Sequence, residues 1–211
     1  MKLHRSFYDR PTLDVARDLI GKVLVHNRRG VRTSGVIVEV EAYVGESDPA
    51  CHAAPGLTKR NAPLYGPPGF SYVYLNYGIH ALFNAVTEAD GWPAAVLIRA
   101  LAPLDGIATM RRRRARAMKG RRARTASTLA LHDLCRGPGN LTMAMGITLA
   151  DSEQDLCGPR IYIENRRVPL PGTIVWGPRI GISVGTERPW RAYLEGHPSV
   201  TGARTNPGRV R

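Results

Sequence analysis

Lysine is nearly absent from this chain of 211 residues. Only four lysines occur, at positions 2, 22, 59 and 119, so arginine supplies 26 of the 30 basic side chains. Arginine binds phosphates through a planar fork of donors and stacks on flat rings, but it keeps its proton and cannot act as an amine nucleophile. Covalent chemistry that begins with an amine therefore has few candidate residues here.

Cysteine is scarce as well. The three cysteines, Cys51, Cys135 and Cys157, are too widely spaced for a Cys-x-x-Cys metal site, and their odd number does not build a disulfide framework. Cys51 stands beside His52, which suits a metal or thiol site, but no second pair at ligand spacing completes one. The sequence therefore predicts no metal and no cofactor.

Long apolar runs are also missing. The first ten residues contain no apolar signal-peptide core, and no stretch reaches the length that crosses a bilayer. There is no phosphate-binding P-loop, no G-x-G-x-x-G after a strand and no internal repeat. We expect an intracellular protein, in the cytoplasm and nucleoid or in the nucleus if the source is eukaryotic, with no membrane partner.

The charge balance is strongly basic. The net charge of +13 and the pI near 10.4 favour a polyanionic partner, most often nucleic acid, although a merely basic or ribosome-like protein would show the same balance. The length suits one domain, predicted over residues 1–211, with residues 201–211 as a frayed tail. Mixed helical and strand-like segments predict an α+β fold with a largely antiparallel sheet.

The stretch 36–52 (VIVEVEAYVGESDPACH) presents the first candidate site. Two carboxylates, Glu39 and Glu41, interrupt an apolar strand, and Tyr43 follows on the same face. A carboxylate at a strand end beside an aromatic ring suits a site that holds a flat ring and performs acid–base chemistry. Glu41 is one candidate for the base; Glu39, on the same face, is the competing candidate and the more natural structural partner.

The stretch 71–86 is the second informative segment. Tyr72, Tyr74 and Asn76 alternate onto one face of a predicted strand, and the sequence N-Y-G that follows is a hairpin-turn signal. Tyr77 is therefore predicted at the tip of a hairpin. Clustered tyrosines in a basic protein suit base stacking, whereas a single tyrosine on a strand more often only packs against the sheet.

Further elements follow along the chain. Residues 94–101 are predicted to form an apolar strand that is interrupted by Arg99. Burying this charge is costly unless the arginine is paired or functional. An ion pair between Arg99 and Glu41 is the alternative in which both residues have a purely structural role. Another strand is predicted over residues 174–184. A helix from Pro103 through Met110 runs into the arginine-rich tract 111–124, interpreted as a mobile phosphate-binding loop or as a charged helix end.

The motifs form an ordered series. It comprises E-A-Y-V-G at 41–45, His52, R-N at 60–61, P-G at 68–69, Y-V-Y-L-N-Y-G at 72–78, Asn84, V-L-I-R-A-L at 96–101, G-P-G-N-L at 137–141, R-I-G-I at 179–182 and G-H-P-S-V at 196–200. In order and spacing the series resembles the alkyladenine (3-methyladenine) DNA glycosylase family that lacks a helix-hairpin-helix motif. The resemblance spans about residues 11–200 and implies a curved sheet surrounded by helices, with a protruding β-hairpin that inserts into DNA.

The resemblance implies catalytic roles for two residues. Glu41 matches the general base that activates the water attacking the sugar C1′ atom, and Arg99 matches a residue that helps to hold this water. The implied reaction is hydrolysis of the N-glycosidic bond of an alkylated or deaminated purine, such as 3-methyladenine, 7-methylguanine, hypoxanthine or ethenoadenine. Because water is the nucleophile and lysine is scarce, strand cleavage is not expected; Lys59 is the one lysine near the site.

The resemblance also implies residues that bind the base. Tyr43, His52 and Tyr74 match the side chains that sandwich the extruded base, and Asn84 matches the residue that screens against normal purines by crowding the exocyclic amine of guanine. A base is readable only outside the stack, so such an enzyme flips it out of the duplex.

The implied DNA contacts lie around the hairpin. Tyr77 matches the wedge that fills the gap left by the flipped base. Ile79, His80 and Arg60 are assigned to the same DNA-contacting surface, although Ile79 and His80 depart from the family pattern. The expected partner is duplex DNA containing damaged purines, bound by a monomer.

Two other functions compete with the glycosylase. The first is a non-enzymatic nucleic-acid-binding protein on the same scaffold, with Glu41 in a structural role. The second is a metal-dependent nuclease that uses Glu39, Glu41, Asp48 and His52 as ligands.

Overall fold

A 14-residue strand, Val31–Val44 (β2), lies at the centre of the sheet in the computed structural model, which describes residues 1–117 and 128–202. Residues 33–42 of this strand are all buried, so both faces of the sheet are covered here. Helices cover one face, and the long loop 45–69 covers part of the other. The residues that alternate along β2 therefore point into two separate environments.

The sheet is antiparallel at every strand pair in the described residues. Its strands are β1 (Val23–Arg28), β2, β3 (Ser71–Asn76), β4 (His80–Val86), β5 (Ala94–Asp105), β6 (Ile161–Glu164), β7 (Ile174–Gly177) and β8 (Arg191–Leu194). The main order is β3-β4-β5-β2-β1-β6. Along the edge of β2 that faces away from β5, the first half of β2 pairs with β1 and the second half pairs with β8, which in turn pairs with β7. The predicted α+β class with a curved, largely antiparallel sheet is confirmed.

Helices pack around this sheet. They are α1 (Arg5–Tyr8), α2 (Thr12–Leu19), α3 (Ile107–Ala117) and α4 (Pro138–Met145), with short 3₁₀ turns at Ala62–Tyr65, Leu131–Asp133 and Leu149–Asp151. Helix α2 has no capping side chain of its own; instead Glu88 Oε1 accepts hydrogen bonds from the Thr12 backbone N–H at 3.0 Å and the Thr12 hydroxyl at 2.7 Å. Within the described residues, none of the helices is long and apolar enough to span a membrane.

The segment after β5 differs from the prediction. Pro103 does not begin a helix: it lies within β5 opposite Gly35, at a register shift where a strand tolerates proline. The helix begins only after Gly106, whose φ of 74° makes the turn. Residues 111–117, predicted as the start of a mobile loop or as a helix end, belong to α3; residues 118–124 and 203–211 lie outside the described part of the chain.

Candidate active site

An irregularity in the β2–β5 pairing brings Arg99 towards Glu39 and Glu41. Glu39 pairs with Ala100 and the next residue, Val40, pairs with Ile98, so Arg99 is an extra residue with no partner opposite it. Such a bulge bends the strand and re-aims the side chain that it carries. The Arg99 guanidinium consequently reaches both carboxylates of β2, through Nε to Glu39 Oε1 at 3.2 Å and Nη1 to Glu41 Oε2 at 3.0 Å.

Glu41 is fully buried and accepts three hydrogen bonds. Oε2 accepts from Arg99 and from the Tyr43 hydroxyl at 2.9 Å, and Oε1 accepts from the backbone N–H of Ile180 at 2.7 Å. Bonds of this kind to a carboxylate are shorter and stronger than those between neutral groups. The Glu41 carboxylate is therefore held in one orientation by donors from three parts of the chain.

The side chains around Glu41 stabilise one another's protonation states. Burial alone would lower the pKa of Arg99, but the carboxylates of Glu41 and Glu39 raise it above its ordinary value. Burial and the adjacent Glu41 raise the pKa of Tyr43 far above that of a free tyrosine, so its hydroxyl keeps its proton and donates it in the hydrogen bond. The ion pair between Glu41 and Arg99 foreseen as the structural alternative is thus present.

A cavity of about 400 Å³ opens beside this cluster, within the size range of small-ligand sites. Among its lining residues are Tyr43, His52, Tyr72, Tyr74, Asn76, Tyr77, Asn84, Arg99, Ile180 and Ile182. Six of the predicted site residues therefore meet around one cavity, and the predicted shared face of Tyr72, Tyr74 and Asn76 is confirmed. Glu41 itself lies behind the wall, and its three hydrogen-bond donors, Tyr43, Arg99 and Ile180, all line the cavity.

His52, Tyr72 and Tyr74 form one aromatic wall. The His52 and Tyr74 rings lie 4.3 Å apart at 64°, and the Tyr72 and Tyr74 rings stack at 5.3 Å. His52 Nδ1 and the Tyr72 hydroxyl are hydrogen-bonded at 2.9 Å. Burial and the positive charge of Arg60 lower the pKa of His52, which favours the neutral ring near pH 7. This wall is preorganised by contacts among its own members.

Asn84 is fixed by the same wall. It lies on β4 opposite Tyr72 and is almost fully buried, and its Nδ2 donates to the Tyr72 carbonyl oxygen at 3.0 Å. This bond orients the amide at the cavity lining. A side chain held in this way gives the cavity a fixed polar edge.

The loop that carries His52 is organised by Asn61. Asn61 Nδ2 donates to the carbonyl oxygens of His52 and Gly56, each at 2.8 Å, and Asn61 Oδ1 accepts from the Thr58 backbone N–H at 2.6 Å. The buried Asn61 side chain thus makes the hydrogen bonds that regular secondary structure would otherwise make to the backbone of this loop. The loop can therefore hold His52 in a defined position.

Arg179 and Asp48 form a second buried ion pair that sequence reasoning missed. Their hydrogen bonds hold the segment beginning at Ile180 against β2, and the guanidinium lies 4.7 Å from the Tyr43 ring centroid. The predicted strand over residues 174–184 is wrong beyond Gly177, because Pro178 ends it and Arg179 turns inward. An arginine within an otherwise apolar run was the available signal.

The hairpin between β3 and β4 has the predicted turn. The Ile79 N–H donates to the Asn76 carbonyl oxygen at 3.1 Å, and Tyr77 and Gly78 both have positive φ angles. Tyr77 is 87% exposed and Ile79 is 74% exposed, so two apolar side chains project from the tip.

The other predicted DNA-contacting residues surround this tip. His80 is exposed where β4 begins, and the exposed Arg60 donates from Nη2 to the Leu75 carbonyl oxygen at 3.4 Å on the β3 side. Tyr77 and Arg60 thus line one shallow groove beside the cavity, and His80 lies opposite Asn76 at the base of the same hairpin turn.

The metal-site hypothesis has no geometric support in the described part of the chain, where no group of three His, Cys, Asp or Glu residues is placed to hold an ion. Asp48 is occupied by Arg179, and Glu39 is occupied by Arg99 and Arg191. His52 is turned into the aromatic wall instead.

Fold and site together present an aromatic cavity backed by a buried carboxylate, an arrangement that suits the binding of a flat ring. Residues 6–198 match the family model described as methylpurine-DNA glycosylase, so the chain belongs to that family, whose members are hydrolases acting on N-glycosyl bonds. The predicted family and enzyme class are confirmed.

Individual relatives agree with the family model. The chain is 46% identical over 212 aligned residues to a protein of Methanocella arvoryzae, covering 99% of this chain and 98% of the relative. It is 45% identical to one of Chlorobium phaeobacteroides (96% and 96%) and 48% identical to one of Rhodopseudomonas palustris (92% and 88%). Each of the three is named "Putative 3-methyladenine DNA glycosylase".

Proposed function

We propose that this protein excises alkylated or deaminated purines, of the 3-methyladenine, 7-methylguanine, hypoxanthine and ethenoadenine types, from duplex DNA. Hydrolysis of the N-glycosidic bond leaves an abasic site. Family membership and the names of the relatives support the methylated purines among these substrates. The observation that carries the proposal is the buried Glu41 carboxylate, which is fixed by three donors directly behind the wall of an aromatic cavity.

Glu41 is the general base in this proposal. The C1′–N bond breaks and its electron pair leaves with the base, while a water oxygen bonds to C1′ and passes a proton to Glu41. The sugar acquires oxocarbenium character, and a nearby carboxylate stabilises that charge. Since all three Glu41 donors line the cavity, a water that replaces or joins one of them would contact the carboxylate, and Arg99 would help to hold it there.

The cavity binds the extruded base. Tyr43 has the Arg179 guanidinium near its ring, and its role is to stack on the base opposite the wall formed by His52 and Tyr74. Stacking of a base on an aromatic side chain contributes roughly 1–3 kcal/mol. The fixed Asn84 amide crowds the exocyclic amine of guanine and so rejects normal purines.

The exposed hairpin tip opens the duplex. Tyr77 enters the gap left by the flipped base and offsets part of an unstacking cost of a few kcal/mol. Ile79, His80 and Arg60 contact the flanking DNA from the same surface. We further propose that the protein acts as a monomer, without a metal or cofactor, and that it leaves the DNA strand intact.

The experiment uses duplexes that contain a single ethenoadenine or hypoxanthine. After incubation, heating in alkali cleaves the strand at any abasic site, and the wild type should yield cleavage at the lesion with or without EDTA. Glu41→Gln should lower the single-turnover rate about 10²–10⁴-fold, the usual contribution of a general base. Absence of abasic sites with wild type contradicts the proposal and favours a non-enzymatic DNA-binding protein. Full activity of Glu41→Gln contradicts the assignment of Glu41 as the general base.

A further inference from the structure

Glu39 is as deeply buried as Glu41, but of its three hydrogen-bond donors only Arg99 lines the cavity. Its Oε1 accepts hydrogen bonds from Arg191 Nε at 2.8 Å and from Arg99 Nε at 3.2 Å, and its Oε2 accepts from the Thr201 backbone N–H at 2.8 Å. The donors come from β8, from β5 and from the turn that follows β8. The position of this carboxylate is therefore fixed from three directions.

The same contacts divide the Arg99 guanidinium between two carboxylates. Nε is occupied by Glu39 and Nη1 by Glu41, so the plane of the guanidinium is determined at both of these nitrogens. Because Arg99 stands in a bulge with no partner residue opposite, the strand pairing alone does not fix its direction. Glu39 supplies the missing constraint.

Arg191 and Thr201 keep Glu39 in place. The Arg191 Nη2 atom donates to the Thr201 carbonyl oxygen at 3.0 Å while its Nε binds Glu39, and its guanidinium lies 4.3 Å from the Tyr193 ring centroid. The G-H-P-S-V segment leads directly into Thr201, and it therefore places the Thr201 backbone N–H where it can donate to Glu39.

We propose that Glu39, held by Arg191 and the Thr201 N–H, is a positioning residue that aims Arg99 at Glu41 and at the cavity. The inference rests on the proposed function, in which Glu41 is the base. If Glu39 is lost, Arg99 is free to turn its Nε and Nη atoms towards Glu41 as a bidentate pair, and its direction towards the cavity is no longer fixed.

The groups around Glu41 come from several parts of the chain. Arg99 faces it from β5, Tyr43 from β2 and the Ile180 N–H from the segment after β7, while Arg179 and Tyr74 interact with it electrostatically at longer range. Glu39 and Arg191 complete the cluster behind Arg99. Replacing Glu39 by a neutral residue removes the carboxylate that Arg99 and Arg191 share, so that of the two carboxylates contacted by Arg99 only Glu41 remains.

The test compares Glu39→Gln with wild type on ethenoadenine-containing duplex. We expect the single-turnover rate at saturating protein to fall at least about tenfold, as small displacements of catalytic groups do, while the Kd for lesion DNA stays within about threefold. Glu39→Asp keeps the charge and should recover part of the rate. A purely structural role would lower the thermal midpoint and leave the rate of the folded protein unchanged.

Asp151→Asn is the matched control. Asp151 is also fully buried and paired, with Arg160 Nη2 at 2.6 Å and the Thr148 N–H at 2.8 Å, but neither it nor these two partners line the cavity. The variant should lower the thermal midpoint and leave the rate of the folded protein unchanged.

The outcomes separate the inference from the proposed function. A wild-type rate in Glu39→Gln, together with an inactive Glu41→Gln, overturns the positioning role and leaves the glycosylase intact. A wild type that excises nothing overturns the function itself. If Glu39→Gln does not fold, Arg191→Lys takes its place, since it keeps the charge but loses the second bond to Thr201; a wild-type rate in that variant also overturns the inference.

Discussion

Arg179 donates to both carboxylate oxygens of Asp48, at 2.5 and 2.8 Å, with both side chains inaccessible to solvent. A third bond runs from the same guanidinium to the Ala42 carbonyl oxygen at 3.1 Å. The pair therefore connects the loop after β2, the strand β2 itself and the segment that donates the Ile180 N–H to Glu41.

Removing one partner of this pair should be costly. Asp48→Asn leaves the buried Arg179 charge without a counter-charge, and we expect the free energy of unfolding to fall by about 3–5 kcal/mol in urea denaturation. The double variant Asp48→Leu, Arg179→Met should recover much of that loss, because apolar residues of similar volume often replace a buried ion pair without penalty. A double variant no more stable than the single one contradicts this account.

Tyr43 carries two separable functions, a ring that lines the cavity and a hydroxyl that binds Glu41. Tyr43→Phe keeps the ring, so its affinity for lesion DNA should stay close to that of wild type. Tyr43→Ala removes the stacking surface and should weaken binding by about 1–3 kcal/mol. Titration with an ethenoadenine duplex measures the affinity of both variants. Equal losses of affinity in Tyr43→Phe and Tyr43→Ala would assign the loss to the hydroxyl rather than to the ring.

Tyr77 is exposed at the hairpin tip, so Tyr77→Ala should change the free energy of unfolding by no more than about 0.5 kcal/mol. The same variant should bind lesion DNA more weakly and retain less of the flipped state, which a fluorescent base analogue beside the lesion reports. Val31→Ala, which alters a partly exposed apolar residue at the start of β2, provides the control. Unchanged lesion affinity in Tyr77→Ala would reject its assignment as a wedge.

The contribution of Asp151 to the free energy of unfolding depends on pH. Burial raises the pKa of its carboxyl, but the His26 ring at 3.5 Å, the Thr148 N–H and Arg160 outweigh burial and bring the pKa well below its ordinary value. The folded pKa is therefore lower than the unfolded one, near 3.9 for a free Asp, so the stabilisation is complete above about pH 5 and declines as the pH falls below about 4.

The difference in unfolding free energy between wild type and Asp151→Asn should accordingly be constant near neutral pH and shrink in acid. Urea titrations across the acidic range measure it. Asp14→Asn, which removes an exposed pair with Arg17, is the control and should differ little from wild type at any pH. A difference that grows in acid would have the wrong sign for a depressed pKa.

Local patterns were sufficient wherever the determining interactions are close in sequence. The alternation of Tyr72, Tyr74 and Asn76 and the N-Y-G turn depend on neighbouring residues, and both appear as predicted. Pro103 was misread because its tolerance in β5 depends on a register shift opposite Gly35, which lies 68 positions earlier in the chain.

The same difference between local and distant interactions applies to the candidate site. Its aromatic residues and Glu41 could be identified from sequence motifs, but the partners that orient them could not. Arg179 meets Asp48 across 131 positions, and Thr201 meets Glu39 across 162. Neither contact leaves a periodic signal in the sequence, because each depends on how distant strands are brought together by the sheet.

The pairing of β2 also has a kinetic consequence. Its long partner β5 begins 50 positions after β2 ends, and β8, which joins the same strand, begins 86 positions after β5 ends. Chain segments so far apart lose more entropy on meeting than a local hairpin does, and folds dominated by such contacts form in milliseconds to seconds rather than microseconds. Because Glu39 acquires two of its three donors only when β8 and the following turn arrive, we expect catalytic competence to be among the last properties that the folding chain gains.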